Sequence, residues 1–172
     1  MKDRDFLKNV SNSKEDILQV FLDIISSLNI DYCVIGGLAV NAFTEPVVSL
    51  DLNLVVALED IDRICDEAAD RFNVKEFEHS INLGTPDSNL RIQIQTDPEY
   101  RDFIGRATER AVLGYRMKVA AVEDVLTGKV RAYLDKSRGR SKRIKDLADI
   151  SRLIESYPKL IDKVPSEIRK EL

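Results

Sequence analysis

The sequence predicts an α+β fold in which helices flank a small mixed sheet. Three observations carry that expectation. Apolar residues recur at helical spacing near both ends of the chain, at Ile17, Leu18, Phe21, Ile24, Ile25 and Leu28 and again over 122–134 and 144–156. The middle instead holds short runs rich in β-branched residues, at 32–35 and 50–58. A third middle segment, 90–96, alternates strictly, with Leu90, Ile92 and Ile94 facing one way and Arg91, Gln93 and Gln95 the other. Strands in the middle with helices at both ends make two kinds of layer around one core.

Bulk composition bounds the rest. At 172 residues the chain fits one compact unit with a real core. With 44% hydrophobic and 33% charged residues, long disorder is excluded as the main state. No apolar run approaches the ~20 residues of a membrane span. Met1-Lys2-Asp3-Arg4-Asp5 has no signal-peptide core, so a cytoplasmic location without a membrane partner is expected. Cys33 and Cys65 sit in apolar patterns and read as buried reduced thiols. His79 is the only histidine, which argues against a zinc site or a histidine-based triad. Catalysis, if present, falls to carboxylates, amides and cations. The net charge of −4 speaks against a general nucleic-acid binder, yet residues 136–145 gather six cations and no acid, a patch that can hold phosphates.

Taken in order, Ser13-Lys14-Glu15-Asp16 resembles a capping box and opens an amphipathic helix over 13–29. Residues 32–35 read as a buried strand ended by Gly36-Gly37, and 38–43 as a brief helix starting at those glycines. A second strand follows at 50–58, then a helix over 60–72 and a strand over 74–81. Residues 84–89 are a loop by composition, and Asp97-Pro98 closes the alternating strand. Residues 99–109 read as short helix and loop, and 111–119 as strand, turn, strand. Helices over 122–134, 144–156 and 166–172 complete the chain, with Pro158 and Pro165 bracketing the last connection. We expect an α/β core with its N-terminal helix over 1–120 and a helical segment packed on it over 121–172.

Two motifs carry chemistry. The first is Val34-Ile35-Gly36-Gly37 followed by Ser49-Leu50-Asp51-Leu52-Asn53. Positions i and i+2 of a strand share a face, so Asp51 and Asn53 stand side by side near the glycine turn. The second is Val119-Ala120-Ala121-Val122-Glu123-Asp124-Val125-Leu126-Thr127-Gly128-Lys129 with Arg143-Ile144-Lys145-Asp146-Leu147-Ala148-Asp149-Ile150. Together with the strand at 90–96, these segments resemble the nucleotidyltransferase superfamily, the fold of DNA polymerase beta and kanamycin nucleotidyltransferase. Within it they are similar to the branch of abortive-infection toxins and small stand-alone nucleotidyltransferases. The likeness spans roughly residues 32–155 and implies the nucleotidyltransferase fold with a C-terminal helical extension.

Active members of that superfamily move a nucleoside monophosphate from an NTP to an acceptor. They use two magnesium ions about 3.5–4 Å apart to clamp the attacking and leaving oxygens. Two acids on one strand and a third on its neighbour hold the ions, because magnesium favours charged oxygen. The glycine turn brings backbone N–H groups to the triphosphate. This chain keeps Asp51 but has Asn53 in place of the second acid and Gln93 or Gln95 in place of the third. The resemblance therefore implies Asp51 as catalytic residue and metal ligand, with Mg2+ required only if the protein is active. It implies nucleotide contacts from Gly36, Gly37, Ser49, Asn53, Gln93, Gln95, Lys129 and Lys145.

The bland alternatives are a solvated strand face for Asp51, Asn53, Gln93 and Gln95, a stem covering the core with its charge in water for Lys129, surface salt bridges to Lys142 or Lys145 for Asp146 and Asp149, and a mobile solvated loop for 136–145. The amide replacements preserve shape while removing charge. The expectation is a catalytically degenerate fold member that binds a nucleotide, a nucleic acid or a protein partner. The alternatives are an active metal-dependent transferase and a partner protein in a toxin–antitoxin-like module.

Overall fold

The computed structural model describes residues 3–10 and 14–172. Its strands are β1 (Tyr32–Ile35), β2 (Asp51–Val56), β3 (Asn73–Glu76), β4 (Ser80–Gly84), β5 (Arg91–Gln95), β6 (Thr108–Val112) and β7 (Tyr115–Val119). Its helices are α1 (Asp3–Val10), α2 (Ile17–Ser27), α3 (Gly36–Val40), α4 (Ile61–Ala68), α5 (Phe103–Arg106), α6 (Val122–Leu134), α7 (Arg140–Ser156) and α8 (Ser166–Arg169). The strands form one sheet in the order β3-β4-β5-β2-β1-β7-β6. The β2–β5 and β1–β7 pairs are parallel and the other four are antiparallel. The mixed α+β architecture expected from the sequence is borne out.

The two sheet faces differ in chemistry, and the pleat explains how. Leu52 and Leu54 of β2, Ile92 and Ile94 of β5, and Val34 of β1 turn to one side and are buried. Val119, Met117 and Tyr115 of β7 share that side through the Val34–Val119 register. There the Tyr115 hydroxyl donates to Asp16 at the start of α2, at 2.9 and 3.0 Å from its two carboxylate oxygens. Phe21 of α2 meets Phe72 after α4 edge to face, 6.1 Å between ring centres. On the opposite side lie Asp51, Asn53, Arg91, Gln93 and Asn82.

Several boundaries moved for identifiable reasons. Helix α2 begins at Ile17 because Asp16 is its cap, its carboxylate accepting from the Gln19 N–H at 3.1 Å. Ser13, the cap expected from sequence, lies outside the described residues. The helix ends where Asn29 takes φ +51°, with Ile30 N–H donating to Ile25 O and Asn29 N–H to Ser26 O, a Schellman closure. The expected strand over 74–81 is instead the β3–β4 hairpin, closed by Phe77 N–H donating to Ser80 O at 2.8 Å. Glu76-Phe77-Glu78-His79 contains no glycine or proline, so composition gave no turn signal there.

Strand β6 starts at Thr108, earlier than expected, because an edge strand exposed over four of its five residues has no apolar alternation to read. Helix α7 starts at Arg140, so six of the ten residues of the basic run expected as a loop are helical. Lysine and arginine favour helix without contributing an apolar stripe. Cys33 is buried as expected, whereas Cys65 is only partly so.

Candidate functional site

The site grows from the end of β1. Gly36 leaves the strand at φ +74°, a backbone conformation that disfavours any side chain. A Cβ there would lie 2.7 Å from the Asn53 side-chain nitrogen, so the turn rests directly on Asn53. A Cβ on Gly37 would stand 3.2 Å from Ser49 Oγ. The glycine turn is thus packed onto Asn53 and Ser49, two of the residues singled out from sequence. Ile35 pairs with Asn53 in the antiparallel β1–β2 register.

From Asn53 a transverse polar row crosses the sheet. Asn53 pairs with Gln93 of β5, Gln93 with Asn82 of β4, and Asn82 with Lys75 of β3. One step outward, Asp51 pairs with Arg91. Arg91 Nε donates to Asp51 Oδ1 at 2.8 Å and its Nη2 approaches Oδ2 at 3.5 Å. The one strand carboxylate of the motif is therefore held by a guanidinium, with Asp51 46% and Arg91 72% exposed. Asn82 Oδ1 is buried and has no hydrogen-bond partner. Gln95 shares the face but sits opposite buried Val55, and its Oε1 accepts from the Asp97 N–H at 3.1 Å, which closes the local turn.

A second polar centre lies between α6 and α7. Lys129 Nζ stands 3.0 Å from Asp146 Oδ1 and 2.8 Å from Asp149 Oδ2. Arg138 Nε donates to Asp146 Oδ2 at 2.7 Å, and Arg152 Nη1 to Asp149 Oδ1 at 2.7 Å. Asp146 is 1% exposed. These aspartates turn inward on α7 rather than pairing on its surface with Lys142 or Lys145, and the Lys129 charge is enclosed rather than in water. Arg152 carries the network to the site: its Nη2 donates to Asn41 Oδ1, Thr44 Oγ1 and Glu45 O at 3.0, 2.8 and 2.6 Å. Asn41 in turn holds both polar backbone groups of Val47. The loop that delivers Ser49 and Asp51 to the sheet is thereby fastened to α7. Lys145 is exposed on the same helix.

Arg106 of α5 forks onto Asp124 at the start of α6, at 2.7 and 3.0 Å. Buried Cys33 lies beside that pair, and burial, with Asp124 adding to it, pushes its thiol up to about 12. A thiol so placed is no nucleophile at neutral pH.

The family described as the nucleotidyl transferase AbiEii toxin of type IV toxin–antitoxin systems matches residues 25–170. The chain belongs to this family. No curated protein matches it in sequence. Among solved structures, the antibiotic-resistance factor ANT(2'')-Ia superposes with a TM-score of 0.65 at 14% identity, covering 90% of both chains. The lincosamide antibiotic adenylyltransferase LnuA gives 0.56 at 12% identity, over 83% of this chain and 99% of its own. An antigenic nucleotidyltransferase-like protein from Paracoccidioides brasiliensis gives 0.54 at 20% identity, over 88% and 76%. These likenesses establish the nucleotidyltransferase fold.

Within that fold the structure brings Gly36, Gly37, Ser49, Asp51, Asn53 and Gln93 together and gives Gln95 and Lys129 partners of their own. Sequence reasoning missed Arg91, Asn82 and Arg152. Arg91 carried a signal, since it shares the polar face of its strand with Gln93. Asn82 and Arg152 carried none. No helix of the described residues is long and apolar enough to cross a membrane.

Proposed function

We propose that this chain is a degenerate member of its family, binding a nucleotide on the polar sheet face without two-metal transfer chemistry. The observation that carries the proposal is the Arg91–Asp51 pair. Magnesium needs charged oxygen and binds through few protein ligands, so two ions need several carboxylates close together. Here the polar face offers one carboxylate, whose two oxygens face a guanidinium, and the amides of Asn53, Gln93 and Asn82. Among the described residues no group of three or more His, Cys, Asp or Glu side chains is arranged to hold a metal. The donor set does not fit a two-magnesium clamp.

An active transferase is the competing proposal, and one observation favours it. The Arg91–Asp51 pair is largely exposed, and such pairs contribute only about 0–1 kcal/mol. An incoming cation could displace the guanidinium at little cost, leaving Asp51 as ligand. The family's place in type IV toxin–antitoxin systems adds a protein partner to either proposal.

Calorimetric titration of ATP with and without magnesium separates the two. For a degenerate binder, affinity in EDTA matches that in magnesium, and the repaired variant Asn53→Asp/Gln93→Asp gains a metal-dependent component. Wild type that binds only in magnesium, as strongly as the repaired variant, would establish a working metal site and retire the degenerate assignment.

A further inference from the structure

We infer that the floor of this site has changed charge sign, so that Arg91 holds the phosphates of a nucleoside triphosphate directly, in the place where the fold otherwise sets a metal ion. The inference rests on the degenerate, nucleotide-binding proposal above and names the group that does the binding. Counting the charged side chains on this face of β2, β3, β4 and β5 gives Asp51 as the one acid against Arg91 and Lys75 as cations, with Asn53, Gln93 and Asn82 neutral. A face built to hold divalent cations would be strongly negative. This one suits an anion.

The geometry of the pair supports the assignment. A guanidinium has two edges that can bind an oxyanion side on. Asp51 occupies the Nε–Nη2 edge. The Nη1–Nη2 edge is left for a second oxyanion, on a side chain 72% exposed. Asp51 thus covers one edge of the fork and offsets part of its charge, leaving the other edge open. Space is present beside it, since a Cβ added to Gly84, at the end of the neighbouring strand β4, would meet nothing within 4 Å. Lys75 at the far end of the row adds a second cation, exposed and forming no ion pair among the described residues.

The test is titration of ATP in EDTA against wild type, Arg91→Gln and Asp51→Asn, each checked for folding by circular dichroism. Both side chains are solvent-facing, so the fold tolerates either change. Removing a charge-assisted contact should weaken ATP about tenfold or more in Arg91→Gln. Removing the one acid should leave metal-free binding intact or tighten it in Asp51→Asn, the opposite of what a metal ligand would show. Wild type that binds in EDTA with Arg91→Gln unchanged, or with Asp51→Asn abolished, overturns the role of Arg91 and leaves the degenerate proposal standing. Binding that needs magnesium, or no binding at all, overturns both.

Discussion

Replacing Lys129 by Met probes whether this residue serves the fold or a ligand. Its ammonium lies 3.0 and 2.8 Å from Asp146 and Asp149, which are 1% and 14% exposed. At an effective dielectric of about 20, each contact is worth roughly 5–6 kcal/mol of Coulomb attraction, offset by several kcal/mol of desolvation per ion. Methionine keeps most of the stem packing but leaves two buried carboxylates short of one cation. Arg138 and Arg152 still hold one oxygen of each, which places the loss at the lower end of the range for breaking a buried ion pair, about 3 kcal/mol. Urea denaturation followed by circular dichroism reads this as a drop in midpoint at unchanged slope. Adding Asp146→Asn to Lys129→Met removes one stranded charge and should recover part of the loss. A Lys129→Met protein within about 0.5 kcal/mol of wild type, yet weaker in ATP binding, would refute the structural assignment and return Lys129 to the nucleotide site.

Three further outcomes follow from the geometry. Gly36→Ala forces a side chain into a positive-φ position against Asn53, so it should cost about 1–3 kcal/mol in urea denaturation and weaken ATP binding together. Arg152→Ala frees the loop at 41–50 from α7; hydrogen exchange should rise there, starting with the Val47 amide, while β5 stays protected. Burial, reinforced by Asp16, pushes the Tyr115 hydroxyl up to about 12 from an ordinary 10.0. The folded state thus keeps a proton that the unfolded state loses. Stability should be intact below pH 10 and fall as pH rises toward about 12, with Tyr115→Phe flattening that fall in pH-dependent denaturation.

Much of this protein was legible in local sequence because its cause is local. Apolar periodicity marked the helices over 122–134 and 144–156, and the glycine pair ended the strand at residue 35 where the chain must take a positive φ. That Asn53, and Gln93 or Gln95, stand where the resemblance implies acids is also legible in sequence alone. The alternation at 90–96 likewise determined which residues of β5 face the polar side.

Which partner each of those residues meets was decided only by the tertiary structure. Alternation fixes a strand's face but not its register, because a slip of two residues keeps every side chain on its own side. Spacing alone would equally allow Gln93 to stand opposite Asp51. The β2–β5 pairing, forty residues apart in the chain, sets Arg91 there instead and neutralises the retained acid. The same holds for Lys129. Its place on an apolar-periodic helix suggested a stem with its charge in water, and only the packing of α6 against α7 brings two aspartates to enclose that charge. Local pattern determined which faces are polar, and long-range pairing determined the charges those faces present, since Coulomb interactions depend on distances that sequence spacing does not fix.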